Sequence, residues 1–208
     1  MKITNILTGL MLLTCLSSFA QEYDDETIIP GSITINAGTA FPNYLKFLPE
    51  FSGKSVGPFL LGAQYQIGEK FSLGLHYSYC KASTAMYVET DNLGNSFSYK
   101  FDVSLNTVFI NGDYYWFDIN RIALYSGLGF GYAQVKASVS FSDNANHSGD
   151  FSYTGLASTF GWQLRLIGVK ANIVKGFGAY ADLGFGWNGI LEVGLKYTFG
   201  GKSEDRPE

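Results

Sequence analysis

The strongest constraint in this chain is an alternation of large apolar with small or polar side chains, period two, that recurs in eight segments. A period of two belongs to the β-strand, whose successive side chains point to opposite faces. In 32–41 the residues Ile33, Ile35, Ala37, Thr39 and Phe41 share one face. In 58–67 Phe59, Leu61, Ala63, Tyr65 and Ile67 oppose Leu60, Gly62, Gln64 and Gln66. In 71–81 Phe71, Leu73, Leu75, Tyr77 and Tyr79 oppose Ser72, Gly74, His76, Ser78 and Cys80. The fourth segment ends at Trp116 and sets Val108, Ile110, Tyr114 and Trp116 against Asn111, Asp113 and Tyr115. Further back in that segment the apolar positions are Phe101, Val103 and Leu105, so the phase slips near Asn106-Thr107. The slip predicts a β-bulge or a strand that leaves a membrane there. Segments 121–135, 153–169, 176–187 and 190–199 repeat the pattern, with Leu128, Phe130 and Tyr132 against Gly127, Gly129 and Gly131, for example.

Which face points outward follows from size. Eight strands close into a barrel whose interior is just wide enough for side chains to fill. The small and polar faces fit that space, and faces with five or six bulky apolar groups do not. The apolar faces are therefore expected to meet lipid. Ten residues at about 3.3 Å each, tilted about 45°, reach about 23 Å, the height of the apolar band of a membrane barrel. Composition agrees: 16% aromatic, 15% charged and 25 glycines in 208 residues. Tyr65, Phe71, Tyr114, Trp116, Phe177, Tyr197 and Phe199 lie beside short turns or the C-terminus. Tyr77, Tyr79, Phe130, Tyr132, Phe185 and Trp187 lie toward the other rim. Two such girdles are what the two membrane interfaces select. The expected fold is an all-β, eight-stranded, antiparallel, up-and-down transmembrane β-barrel over 32–199.

Connections alternate in length. Long outer loops are expected at about 42–57, 82–100 and 136–152, and short inner turns at 68–70, 118–120 and 170–175. Asn188-Gly189 carries the type I′ hairpin signal. Both termini then lie on the periplasmic side. Residues 1–20 read as a signal peptide: Lys2, an apolar run over 6–16, and Ser18-Phe19-Ala20 before a cleavage point at Gln21. Removal of Cys15 leaves Cys80 alone, without an intramolecular disulfide; a lipidated Cys15 is the alternative. An acidic, mobile arm over 21–31 and a polar tail over 200–208 flank the barrel. With a net charge of −4 and a pI of about 5.2, a nucleic-acid partner is not expected.

The C-terminal third carries a family resemblance. The runs Trp162-Gln163-Leu164-Arg165-Leu166-Ile167-Gly168-Val169, Gly178-Ala179-Tyr180-Ala181-Asp182-Leu183-Gly184-Phe185-Gly186 and Asn188-Gly189-Ile190 resemble small outer-membrane β-barrel proteins of the OmpA/OmpX-like type. The closing Gly194-Leu195-Lys196-Tyr197-Thr198-Phe199 resembles the family's assembly signal, carried by Gly194, Tyr197 and Phe199. In that family the last aromatic often ends the chain, whereas nine residues follow Phe199 here. The resemblance implies fold and location, with outer-membrane lipid, lipopolysaccharide and the barrel-assembly machinery as partners. It implies no single activity.

Asp113, Arg165, Asp182, Glu192 and Lys196 fall on inward faces. They are expected to form a salt-bridged plug, because buried charges need partners and an eight-stranded lumen is packed. An ion or proton path is the alternative. His76 and Ser78 form an H-x-S pair like that of lipid A deacylases, with Ser as nucleophile and His as base. Their phase turns them into the lumen and the sequence sets no carboxylate beside them, so polar filling is the simpler expectation. His147 reads as a solvated loop residue. No metal site, cofactor or phosphate-binding loop is indicated. The expected role is structural or interactive, in envelope integrity or adhesion, by a monomer contacting its partner through 43–56, 82–100 and 136–152. A small-solute channel is the runner-up.

Overall fold

The computed structural model describes residues 28–42, 55–84, 87–90, 96–119, 121–143 and 151–200. The signal peptide, Cys15, the first part of the acidic arm, His147 and the tail beyond Gly200 lie outside the described residues. The strands are β1 (Ser32–Phe41), β2 (Ser55–Gln66), β3 (Phe71–Ser83), β4 (Tyr87–Thr90), β5 (Ser96–Ile119), β6 (Ile122–Asp143), β7 (Phe151–Val174), β8 (Phe177–Gly186) and β9 (Leu191–Gly200). Neighbours pair antiparallel, β1 pairs with β9, and β3 pairs with β5. The sheet therefore closes on itself as an eight-stranded antiparallel barrel, the fold type that the sequence pattern and the resemblance implied. The short β4 stands outside the closure and pairs only with the start of β5.

Closure matters because it satisfies the backbone. A bilayer core offers no water to unpaired N–H and C=O groups, so a sheet can cross it only without edges. The outward faces suit that environment. Phe59, Leu61, Tyr65, Phe71, Leu73, Leu75, Ile110, Phe160 and Leu195 are each more than half exposed. The inward faces hold Asn36, Gln64, Ser72, His76, Ser78, Thr107, Asn111, Asp113, Gln163, Arg165, Asp182, Glu192 and Lys196, all nearly fully buried. A water-soluble barrel has the reverse arrangement.

The phase slip near Asn106-Thr107 has an explanation other than a bulge. The β3–β5 ladder runs without interruption from Phe71↔Tyr114 to Ser83↔Asp102, and β5–β6 is equally regular through this point. Parity is kept and the chemistry of the two faces exchanges. Below the point Val108 and Ile110 face out, with Asn111 and Asp113 inside. Above it Val103 and Leu105 are buried inside, and Ser104 and Asn106 face out. The strand has left the apolar band there, and from that level the barrel is built like a soluble one. The bulge in β5 lies instead between Tyr115 and Phe117.

The outer loops are correspondingly shorter than expected. Much of 82–100 and 136–152 is strand: β5, β6 and β7 run for 24, 22 and 24 residues. At the other end the turns are tight. Ile119 pairs with Ile122, and Val174 with Phe177. Lys175 and Gly176 both have positive φ (24° and 76°), the backbone sign that two-residue type I′ hairpins need. That turn was expected at 170–175. Asn188-Gly189 does not form the expected type I′ turn, because Asn188 keeps a negative φ. Instead 187–190 folds over the barrel mouth, so that Asn188 is buried and Trp187 packs inward against Cys80, Leu105 and Ala133. Trp187 thus leaves the outer aromatic girdle to which the sequence pattern assigned it.

The end of the acidic arm is also ordered. The Ile28 N–H donates to Asp118 Oδ2 at 3.3 Å, and its side chain packs with Tyr115, Ala123 and Tyr125 at the short-turn end of the lumen. Residues 28–31 are therefore docked, where a mobile segment was expected.

Candidate functional site

The lumen is the most densely organised polar site. Arg165 on β7 donates through Nη2 to Asp113 Oδ1 on β5 at 2.6 Å. Gln64 on β2 donates to Asp113 Oδ2 at 2.5 Å. Gly127 lies between Asp113 and Arg165 in register, and a Cβ there would overlap Asp113 Oδ1 and Arg165 Nε. The glycine on β6 makes room for the ion pair.

Lys170 is the member that the sequence pattern missed. Its Nζ donates to Gln64 Oε1 and to the Tyr115 hydroxyl, both at 2.6 Å, and lies 3.8 Å from Asp113 Oδ2. It also sits over the rings of Tyr115 and Tyr125, 5.0 and 4.5 Å from their centroids, in cation–π range. A bulge between Arg165 and Ile167 shifts parity by one and turns Gly168 and Lys170 inward. With Lys170, three buried acids face three buried bases.

The five residues expected in the plug are all buried, and they divide by partner. Asp113 and Arg165 form an ion pair. Asp182 accepts from the Tyr125 hydroxyl. Lys196 donates to Asn172 Oδ1 at 2.5 Å rather than to a carboxylate. Glu192 stands opposite Asp182 in register. The assembly-signal residues lie on β9. Tyr197 and Phe199 face outward with rings stacked 6.2 Å apart, and Gly194 receives the Tyr180 ring against it on the inner side.

His76 and Ser78 do not form a nucleophile–base pair. Ser78 Oγ lies 2.6 Å from Thr107 Oγ1 and 2.9 Å from Asn188 Oδ1, within hydrogen-bond reach of both, whereas His76 Nε2 has no partner among the described residues. Both are about 3% exposed, shut away from any lipid ester. Asn188 is the hub here. Its Oδ1 also accepts from Thr107, and its backbone N–H donates to Gln163 Oε1 at 3.0 Å. Among the described residues no cluster of histidine, cysteine and carboxylates could hold a metal ion.

Above the band β5, β6 and β7 continue as a raised sheet, joined by β4. Its inner side packs Ala82 and Val103 with Phe101, Val135 and Ala137. Its outer side carries Lys81, Lys100 and Asp102, whose ion pairs span 3.6 and 3.4 Å. Partial burial raises the pKa of Asp102, but the Ser83 hydroxyl and the two lysine ammoniums outweigh it and hold the carboxyl below its usual range. β7 pairs with β8 only up to Gln163↔Gly186. Beyond that, no strand among the described residues pairs with the far side of β7.

No protein-family model and no curated protein matches the chain. Among solved structures it is similar to the crystal structure of Ail, the attachment invasion locus protein of Yersinia pestis. The likeness has 16% identity, covers 82% of this chain and 100% of that one, and gives a TM-score of 0.43. It is similar also to Ail in complex with the heparin analogue sucrose octasulfate, at 16% identity, 81% and 97% coverage, and a TM-score of 0.44.

Proposed function

We propose that the chain is a non-enzymatic, monomeric outer-membrane protein whose packed barrel anchors an interaction surface outside the cell. In this reading a cleaved leader exports it, the assembly machinery inserts it by Gly194, Tyr197 and Phe199, and both termini face the periplasm. Its outer girdle lies against lipopolysaccharide. The observation that carries the reading is an asymmetry of length. A membrane strand needs about 9–11 residues. β1, β8 and β9 have 10 each, whereas β5 and β7 have 24. Most of the excess lies at the end opposite the tight turns. A sheet raised that far serves no purpose in spanning, and its unpaired β7 side offers backbone groups that an extended partner segment can join.

The test uses cells that express the full chain. A membrane-impermeant maleimide should label Ser138→Cys on intact cells, and the cells should retain immobilised extracellular-matrix proteins better than empty-vector cells. The double variant Thr154→Lys, Ser158→Lys places charge along the β7 edge and should abolish that retention while leaving the folded barrel in place. Retention no better than that of empty-vector cells would overturn the interaction role.

A further inference from the structure

A cavity of about 400 Å³ lies at the outer mouth of the barrel, above the polar lumen. Its lining combines Pro58, Cys80, Leu105, Val135 and Trp187 with Trp162, Gly186 and Asn188. The size falls within the range of ligand pockets, about 300–1,000 Å³. The walls are apolar because they belong to the level at which the two faces of the sheet have exchanged character. The floor is closed: Asn188 is tied to Ser78, Thr107 and Gln163, so the cavity is blind toward the lumen.

The cavity also reaches the wall. Cys80 and Leu105 are inward residues, but Trp162 belongs to the outward face and is 42% exposed. Trp162 and Gly186 line it at the point where β7 and β8 part. The ladder between β7 and β8 stops there, at Gln163↔Gly186, followed by a single bond from the Trp187 N–H to the Trp162 carbonyl at 3.1 Å. Beside this gap Phe130 and Phe160 stack on the outward surface, 5.8 Å apart, at the level of the upper aromatic girdle. The gap therefore opens at the height where acyl chains end and headgroups begin.

We propose that this cavity binds one acyl chain of an amphiphile, which enters sideways from the outer leaflet through the gap beside Trp162 and Gly186. Trp187, folded inward, forms the wall against which the chain packs, and Asn188 sets the depth to which it can descend. An apolar chain is the matching ligand because the lining offers aliphatic and aromatic surface, and because apolar cavities are not stabilised by water. The inference rests on the membrane reading above. A heat-dependent gel shift reports the barrel separately from ligand binding.

The test isolates Trp187 fluorescence in the double variant Trp116→Phe, Trp162→Phe, placed in lipid vesicles. Phospholipid with a bromine-labelled acyl chain quenches a tryptophan that it touches. In one arm the bilayer itself is brominated; in the other, dibromostearic acid is added to an unlabelled bilayer. Most of the Trp187 emission should be lost in the first arm if membrane lipid supplies the chain, and only in the second if a free fatty acid does. Obstructing the cavity with Cys80→Phe, Leu105→Phe and Val135→Phe together should restore the emission. No quenching in either arm would overturn the proposal, and so would quenching that persists in the filled barrel. If the filled variant loses its gel shift, alkylation of Cys80 by N-ethylmaleimide in the unmutated chain decides. Dibromostearic acid or the acyl chains of the bilayer should slow it relative to detergent-free amphipol, and equal rates would overturn the proposal.

Discussion

At the scale of single residues, the lumen is held by the Asp113 carboxylate, which pairs with Arg165 at 2.6 Å and with Lys170 at 3.8 Å, and by the groups around it. Asp113 has essentially no exposed side chain, and Arg165 has 3%. Removing one partner of a buried pair leaves an uncompensated charge and costs about 3–5 kcal/mol. Arg165→Leu should lower stability by that amount in urea unfolding from lipid vesicles, and Asp113→Asn in the same chain should recover much of it. Gly127→Ala should be destabilising for a different reason: the methyl group would take space that Asp113 and Arg165 occupy. At this scale the sequence was informative where parity held. Asp113, Arg165, Asp182, Glu192 and Lys196 sit on the inward faces that alternation assigns them. Lys170 escaped because 170–175 was read as a turn, whereas β7 runs on to Val174 and the extra residue between Arg165 and Ile167 sets Lys170 inward. The signal that could have found it is electrostatic, since three inward acids with two inward bases leave a charge to be matched. Trp187 and Asn188 were misplaced because an Asn-Gly pair was read as a tight hairpin, while the burial of Asn188 among Ser78, Thr107 and Gln163 decides the turn.

At the scale of the element, β5 shows where the membrane ends. Ile110 and Ser104 point to the same side of one strand. Ile110→Lys should cost about 2–4 kcal/mol, as a charge placed in the middle of the lipid band does, and Ser104→Lys about 0–1 kcal/mol. Equal costs at the two positions would deny that the strand leaves the band near Asn106. The alternation legible in 101–116 was continuous all along. Only the solvent outside it changes, and a sequence pattern alone cannot separate a change of solvent from a change of phase. The ion pairs higher on β3 and β5 make a second prediction. The carboxyl of Asp102 is held below its usual range, so its contribution is present above the unfolded carboxyl pKa and is lost as pH falls through the lower, folded value. A carboxyl NMR titration should place its midpoint below 3.8. Lys100→Ala should move that midpoint upward, and no movement would remove the lysine from the explanation.

At the scale of the whole molecule, strand number, direction and the outward apolar face were legible because eight period-two segments admit few other closed arrangements. The height of β5–β7 was not, since polar stretches over 82–100 and 136–152 resemble loops when the apolar face is turned to the inside. The packed lumen makes a clear expectation for transport. Purified protein should insert into planar bilayers without conductance steps, because the layer of Asp113, Arg165, Lys170 and Gln64 crosses the lumen and Ile28 packs at its lower end. The most direct test of the membrane-facing exterior is nitroxide scanning along β5, from 102 to 115, in a Cys80→Ser background in lipid vesicles. Oxygen, which concentrates in the acyl region, should reach labels at 108, 110, 112 and 114 and not those at 107, 109, 111 and 113. Above 106 the outward labels should switch to contact with a water-soluble nickel chelate. Oxygen contact at the odd positions, or no alternation at all, would contradict the account.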